Sequence, residues 1–198
     1  MKQPSKKTGT GTHSKQDRGA DFYETPEVAT LALLENLDVP FHVWEPAAGR
    51  GAMSRVLEKN GRTVLKTDLH AHDGADAGIH GGVDFLKVAR LTDHSISAVV
   101  TNPPFMYAAD FVRKTLDLGI QGFFLLPLNF LSADNRSDIM DDGGPLAGVY
   151  PFKNRLPMMH RDGWTGKKAG SAMNFAWYHF RKGHNGVTHL KRIAWRKF

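Results

Sequence analysis

Phe41-His42-Val43-Trp44-Glu45-Pro46-Ala47-Ala48-Gly49-Arg50-Gly51-Ala52 reads as a short strand, a tight turn of small residues and the start of a helix. The apolar run from Phe41 to Trp44 suits a strand, and Pro46 closes it because a proline nitrogen has no hydrogen to donate to a ladder. Ala47, Ala48, Gly49 and Gly51 leave the backbone open to close approach. The helix that begins near Ala52 is expected to stop at Asn60-Gly61, a pair that favours left-handed backbone. A strand that turns so sharply into a helix is the building unit of an α/β fold with a parallel sheet.

The pattern repeats outward from this unit. Upstream, Thr25-Pro26 reads as a helix start, with Thr25 as the cap and Pro26 as the first helical residue; Val28, Leu31, Leu34 and Leu37 form the expected core-facing stripe. Downstream, residues 63–67 form a strand ending at Asp68, and residues 97–101 form a buried strand that stops at Asn102-Pro103-Pro104. Helical spacing follows in residues 107–118, then a strand over 122–126 ended by Pro127. Two further strands are expected near 147–152 and 174–180, the latter as an antiparallel hairpin partner because no helix precedes it. Ligands of such sheets sit beyond the carboxyl ends of the strands, which is where Glu45, Asp68, Asp84 and Asn102 are expected to fall.

The chain has 198 residues, 41% hydrophobic and 23% charged, as expected of one globular domain with a full core. Residues 1–19 are polar, basic and without apolar periodicity, and read as a flexible arm ahead of a domain over 20–198. There is no apolar run of the roughly 20 residues a membrane span needs and no signal-like N-terminus, so a cytoplasmic protein is expected. The absence of cysteine excludes disulfides, thiolate metal sites and a cysteine nucleophile. The net charge of +6 favours a polyanionic partner, since cationic contacts release counterions from a phosphate backbone. His70, His72, Asp73, Asp76 and His80 lack metal-binding spacing and read as a solvated loop next to Asp68, so no metal is expected.

Taken alone, the turn from Glu45 to Gly51 fits several nucleotide ligands, and Asp68 matches the position of a ribose-binding acid. Asn102-Pro103-Pro104-Phe105 after a β-branched strand narrows this. It resembles the catalytic signature of class I S-adenosylmethionine-dependent amino-methyltransferases, and its Asn and Phe ends are similar to those of compact, phage-type adenine-N6 DNA methyltransferases. Other motifs of that family are matched in order. Asp21-Phe22-Tyr23-Glu24-Thr25-Pro26 resembles the segment that closes over the cofactor's methionine part, Glu45 to Gly51 the cofactor turn, and Asp84-Phe85-Leu86 the motif whose Asp meets the cofactor's adenine. The resemblance spans residues 21 to about 131. It implies a Rossmann-like methyltransferase sandwich with a mostly parallel seven-stranded sheet and an antiparallel edge hairpin. It further implies S-adenosylmethionine held by Tyr23, Thr25, Glu45, Ala47, Gly49, Gly51, Asp68, Asp84 and Phe85, and catalysis by Asn102, Pro103, Pro104 and Phe105.

Chemistry explains the motif. The exocyclic amine of adenine is a poor nucleophile because its lone pair is delocalised into the ring. The Asn102 side-chain oxygen and the Pro103 carbonyl are suited to accept its two hydrogens, and Phe105 supplies a face for stacking. The implied reaction is methylation of the adenine N6 amino group in DNA. RNA adenine-N6 and protein glutamine methyltransferases share the motif, and a non-catalytic nucleic-acid binder that kept the fold is the contrasting class. No separate target-recognition domain is visible. Arg155, Arg161, Trp164, Lys167 and Lys168 form a basic, aromatic insert that suits nucleic acid, with DNA expected ahead of RNA.

Overall fold

The computed structural model describes residues 24–157 and 173–195. Eight strands form one sheet in the order β3-β2-β1-β4-β5-β7-β6-β8. They are β1 (His42–Glu45), β2 (Thr63–Thr67), β3 (Ile79–His80), β4 (Ala98–Thr101), β5 (Gln121–Pro127), β6 (Leu146–Pro151), β7 (Phe175–Phe180) and β8 (His189–Leu190). The helices are α1 (Glu27–Asn36), α2 (Ala52–Lys59), α3 (Ala108–Asp117) and the single turn α4 (Ser137–Met140).

The sheet is parallel except at β7, which runs antiparallel to both β5 and β6. The expected hairpin is present, but its returning strand β7 inserts between β5 and β6 instead of lying at the edge. The edge is taken by β8, which pairs parallel with β6. Chain direction across the sheet reverses between β1 and β4: β2 and β3 lie to one side of β1, and β4 and β5 to the other. That reversal opens a crevice at the carboxyl ends of the central strands.

Both faces are covered, so the central strands are apolar along their middles, with polar residues at their ends. Alternate side chains feed two separate cores. Val43, Ala98, Val100, Phe123 and Leu125 pack under α1 and α2. Trp44, Val99, Phe124 and Leu126 pack with Phe111 and Val112 of α3 on the other face.

Helix α1 departs from the expected stripe. Its buried residues are Ala29, Thr30, Ala32 and Leu33, while Val28, Leu34 and Leu37 are only partly covered. The small side chains at Ala29 and Ala32 bring the helix backbone close to the sheet, where the Trp177 indole N–H donates to the Ala29 carbonyl at 2.9 Å. The cap also shifts: Pro26, not Thr25, occupies the cap position, and no side chain caps the helix. No helix among the described residues is long and apolar enough to cross a membrane.

Candidate functional site at the carboxyl ends of the central strands

The β1–α2 turn is fixed by its neighbour strand. Ala48 N–H donates to the Thr67 carbonyl at 3.0 Å, and Gly49 N–H to Asp68 Oδ2 at 2.8 Å. Gly51 has φ of 89°, and a side chain there would place its Cβ 2.5 Å from Asp76 Oδ2. Asp76 in turn pairs with Arg55 at 2.6 Å. The segment between β2 and β3 therefore folds back onto the glycine turn. His72 Nε2 also lies 3.2 Å from Asp68 Oδ1, so this polar stretch is partly docked and not simply a solvated loop.

Glu45 closes β1 and is 3% exposed. Its described hydrogen-bond partner is the Ser54 hydroxyl, which donates to Oε2 from the inner face of α2. Burial pushes the Glu45 carboxyl up to about 8 against the hydrogen bonds from Ser54, which pull it down; Asp68 nearby adds to the rise and Arg55 opposes it. Asp68 accepts from Gly49 N–H on one oxygen and from His70 N–H, at 2.8 Å, on the other.

Asn102 follows the last residue of β4. Its Nδ2 donates to Thr25 Oγ1 at 3.2 Å, across 77 residues of sequence. Its Oδ1 is enclosed and has no hydrogen-bond partner among the described residues, and the same holds for the Oγ1 of Thr101 just before it. Thr25 is thus drawn from helix capping to the Asn102 amide. Pro103 is buried and Pro104 exposed. The half-buried Phe105 ring sits 5.8 Å from that of Phe175.

Strand registers set the relative heights of these groups. Glu45 pairs with Lys66, and Trp44 with Val99. Two residues on from Glu45, Ala47 is therefore level with Asp68 on one side and Asn102 on the other. Asp68 and Asn102 flank the glycine turn about 10 Å apart, two strand spacings.

Asp84 lies farther along the chain, where its Oδ1 accepts from Leu86 N–H at 3.1 Å and Oδ2 pairs with Lys87 at 3.0 Å. Phe85 does not face this crevice as a stacking ring. It is 2% exposed and sits 4.9 Å from both Trp44 and Phe111, so core packing claims its side chain. Tyr23, Arg161, Trp164, Lys167 and Lys168 lie outside the described residues, while Arg155 is exposed just past β6. A cleft of about 460 Å³ adjoins the site on the helical side, bounded by Thr25, Glu27, Ala52 and Arg55. Among the described residues no cluster of three or more His, Asp or Glu is placed to hold a metal.

No protein-family model matches the chain, and no curated protein matches it in sequence. Solved structures do match. A protein assigned as a class I S-adenosylmethionine-dependent methyltransferase from Listeria monocytogenes aligns with TM-score 0.57 at 15% identity, over 89% of this chain and 68% of that one. A protein from Pyrococcus horikoshii assigned as an RNA methyltransferase aligns with TM-score 0.55 at 16% identity, over 82% and 87%. A protein from Vibrio vulnificus assigned as the modification subunit of a type I restriction enzyme aligns with TM-score 0.52 at 13% identity, over 87% of this chain. This chain spans 47% of that subunit. The fold is that of a Rossmann-like methyltransferase. In a methyltransferase sheet of this order, β1, β2 and β4 deliver Glu45, Asp68 and Asn102 to one end, as the sequence led us to expect. Ser54 was not anticipated. A serine two residues into a helix that faces a strand-end Glu is the signal that marks it.

Proposed function

We propose that the chain transfers the methyl group of S-adenosylmethionine to the N6 amino group of adenine in DNA. The observation that carries this reading is Asn102: an amide whose nitrogen is held by Thr25 and whose oxygen has no donor, next to the glycine turn of a methyltransferase fold.

The crevice suits the cofactor electrostatically. S-adenosylmethionine is cationic at its sulfonium and amino groups, and the acids near the turn are Glu45, Asp68 and the Arg55-paired Asp76, with Glu45 held mostly by one hydroxyl and raised by burial. A cation beside Glu45 favours its ionised form, so ligand and site are complementary. Glu45, the Gly49–Gly51 backbone and Asp68 are the residues proposed to hold the cofactor, with Thr25, Ala47, Asp84 and the Phe85 backbone beside them. Bound there, the cofactor supplies an electrophilic methyl.

Asn102 Oδ1 and the Pro103 carbonyl accept the two amine hydrogens, which aims the nitrogen lone pair. Pro103 and Pro104 stiffen the backbone that presents that carbonyl. Phe105, backed by Phe175, supports the base. Because Oδ1 is enclosed, entry of the base has to displace the atoms covering it. The nitrogen lone pair would form the new bond to the methyl carbon as the sulfonium–methyl bond breaks, leaving a neutral thioether, and the nitrogen would then release one proton to water. Positioning of this kind is worth about 7–11 kcal/mol in well-oriented systems.

The basic balance of the chain and the likeness of its fold to proteins assigned as DNA- and RNA-modifying methyltransferases support a nucleic-acid substrate. The test is transfer of labelled methyl to duplex DNA, single-stranded DNA, RNA and protein, followed by mass spectrometry of nucleosides and amino acids, for wild type and Asn102→Ala. N6-methyladenine in DNA that disappears in the variant supports the reading. Product in RNA alone or on protein glutamine redirects the substrate, and an unimpaired Asn102→Ala overturns the catalytic assignment.

A further inference from the structure

The basic residues of the C-terminal third look like one diffuse run in the sequence, where Asp162 is the only acid after Asp142. The sheet divides them. Arg181 and Lys182 follow β7, which runs antiparallel, and Arg181 N–H donates to the Pro145 carbonyl at the start of β6. They therefore sit at the end of the sheet away from Asn102.

Lys153, Arg155, Lys191 and Arg192 go to the other end. Thr101 pairs with Phe124, Phe124 with Tyr178, Tyr178 with Val149, and Val149 with Leu190. One residue higher, Asn102 is level with Tyr150 and Lys191. Arg192 rises beyond that height, and so do Lys153 and Arg155 past the end of β6. The segment after β8 is anchored there: Lys191 N–H donates to the Val149 carbonyl at 3.1 Å, Ile193 N–H to the Pro151 carbonyl at 2.9 Å, and Lys153 N–H to the Ile193 carbonyl at 2.7 Å. Ile193 is buried, and the Trp195 indole donates to the Asn154 carbonyl at 3.2 Å. All four cations are exposed, and among the described residues none is paired with an acid.

We propose that Lys153, Arg155, Lys191 and Arg192 form a ledge that binds the phosphate backbone of the nucleic acid whose base enters at Asn102. The proposal rests on the reading of Asn102 as the reaction site. Exposed cations on an anchored backbone, with no acid paired to them among the described residues, are what counterion release rewards. The ledge lies three strand spacings from Asn102 at Lys153 and Arg155 and four at Lys191 and Arg192, about 14–19 Å. At about 3.4 Å per nucleotide along a strand, it reaches phosphates about four to six nucleotides from the target base.

The test compares variants of equal charge change: Lys191→Gln with Arg192→Gln, Lys153→Gln with Arg155→Gln, and the control Arg181→Gln with Lys182→Gln. Binding to labelled 20-nucleotide DNA and RNA is measured against salt concentration, with the fold checked by circular dichroism. Each lost phosphate contact flattens the log–log salt slope by about 0.7–0.9. The two ledge pairs are expected to flatten it by about 1.5 each, and the control by less than about half a unit. Ledge pairs below about 1, or a control equal to them, overturn the ledge. Methyl transfer by wild type to the same strands is scored separately. Binding governed by the ledge without any transfer keeps the ledge and discards the catalytic reading; transfer with indistinguishable pairs does the reverse.

Discussion

Replacing Thr25 with valine keeps the volume and β-branching of the side chain and removes only the hydroxyl that accepts from Asn102 Nδ2 at 3.2 Å. A neutral side-chain hydrogen bond of this kind contributes a net of about 1 kcal/mol. Without it the Asn102 amide is free to turn, and the ratio of accepting to non-accepting orientations of Oδ1 falls about fivefold. Thr25→Val should therefore lower kcat by about twofold, and by no more than about fivefold. The loss should be much smaller than for Asn102→Ala, where removing the acceptor itself is expected to cost about 100-fold or more. Thr25→Ser keeps the hydroxyl and should restore most of the rate. The assay is steady-state methyl transfer with cofactor and DNA varied independently. Unchanged kcat with a raised KM for the cofactor would make Thr25 a cofactor ligand only, and a serine variant as slow as the valine one would remove the hydrogen bond from the account.

Gly51→Ala forces an L-residue to φ of 89° and drives its Cβ toward Asp76, so stability should drop by about 1–2 kcal/mol, read as a fall in Tm; adding Asp76→Ala should recover part of it. His179 is half-buried, stacked on Phe123 and held by Gln121, and its burial pushes the imidazole down to about 4. The native state then binds fewer protons than the unfolded chain below about 6.5, so this contribution is complete above that pH and is lost as pH falls through about 4; His179→Gln should flatten the acid limb of urea-denaturation midpoints. Glu45 acts with the opposite sign, since its raised value makes the native state bind more protons than the unfolded one between about 4.5 and 8. Glu45→Gln should consequently be more stable than wild type at pH 9 and little different at pH 5, as read by thermal melts.

The parts of the fold that sequence reveals are those set by local chemistry. Pro46 and the small residues after it make a strand-to-helix turn whatever surrounds them, and Pro103-Pro104 stops β4 just as its missing donors require. The strands β3 and β8 are two residues each. Neither carries a period of its own, and each exists only because a finished neighbour offers it a ladder. The face of α1 was misread for a related reason. Helical spacing favours Val28, Leu31, Leu34 and Leu37 by hydrophobicity, but the sheet selects Ala29 and Ala32 by size, because close approach there lets Trp177 reach the helix backbone. The insertion of β7 between β5 and β6 is likewise a pairing choice, made by six matched residues of β5 and β7.

The site shows the same division between position and partner. Topology places Glu45, Asp68 and Asn102 at one end of the sheet, and residue type together with strand order was enough to foresee that. What each side chain touches depends on contacts that local sequence does not encode. Asp68 reaches Gly49 across 19 residues, Asn102 reaches Thr25 across 77, and Phe85 turns inward because Trp44 and Phe111 leave a space for its ring. These bonds have a functional consequence. The residues proposed to meet the ligand already hold one another: Asp68 fixes the glycine turn, Asp76 covers it, and Thr25 fixes Asn102. A crevice ordered by its own hydrogen bonds loses less conformational freedom on binding, so more of the interaction energy is left for orientation. Among the residues proposed to meet the ligand, the Glu45 carboxyl and Asn102 Oδ1 are left without a full complement of charge or hydrogen bonds. Those are the two points where a cation and an amine have the most to offer.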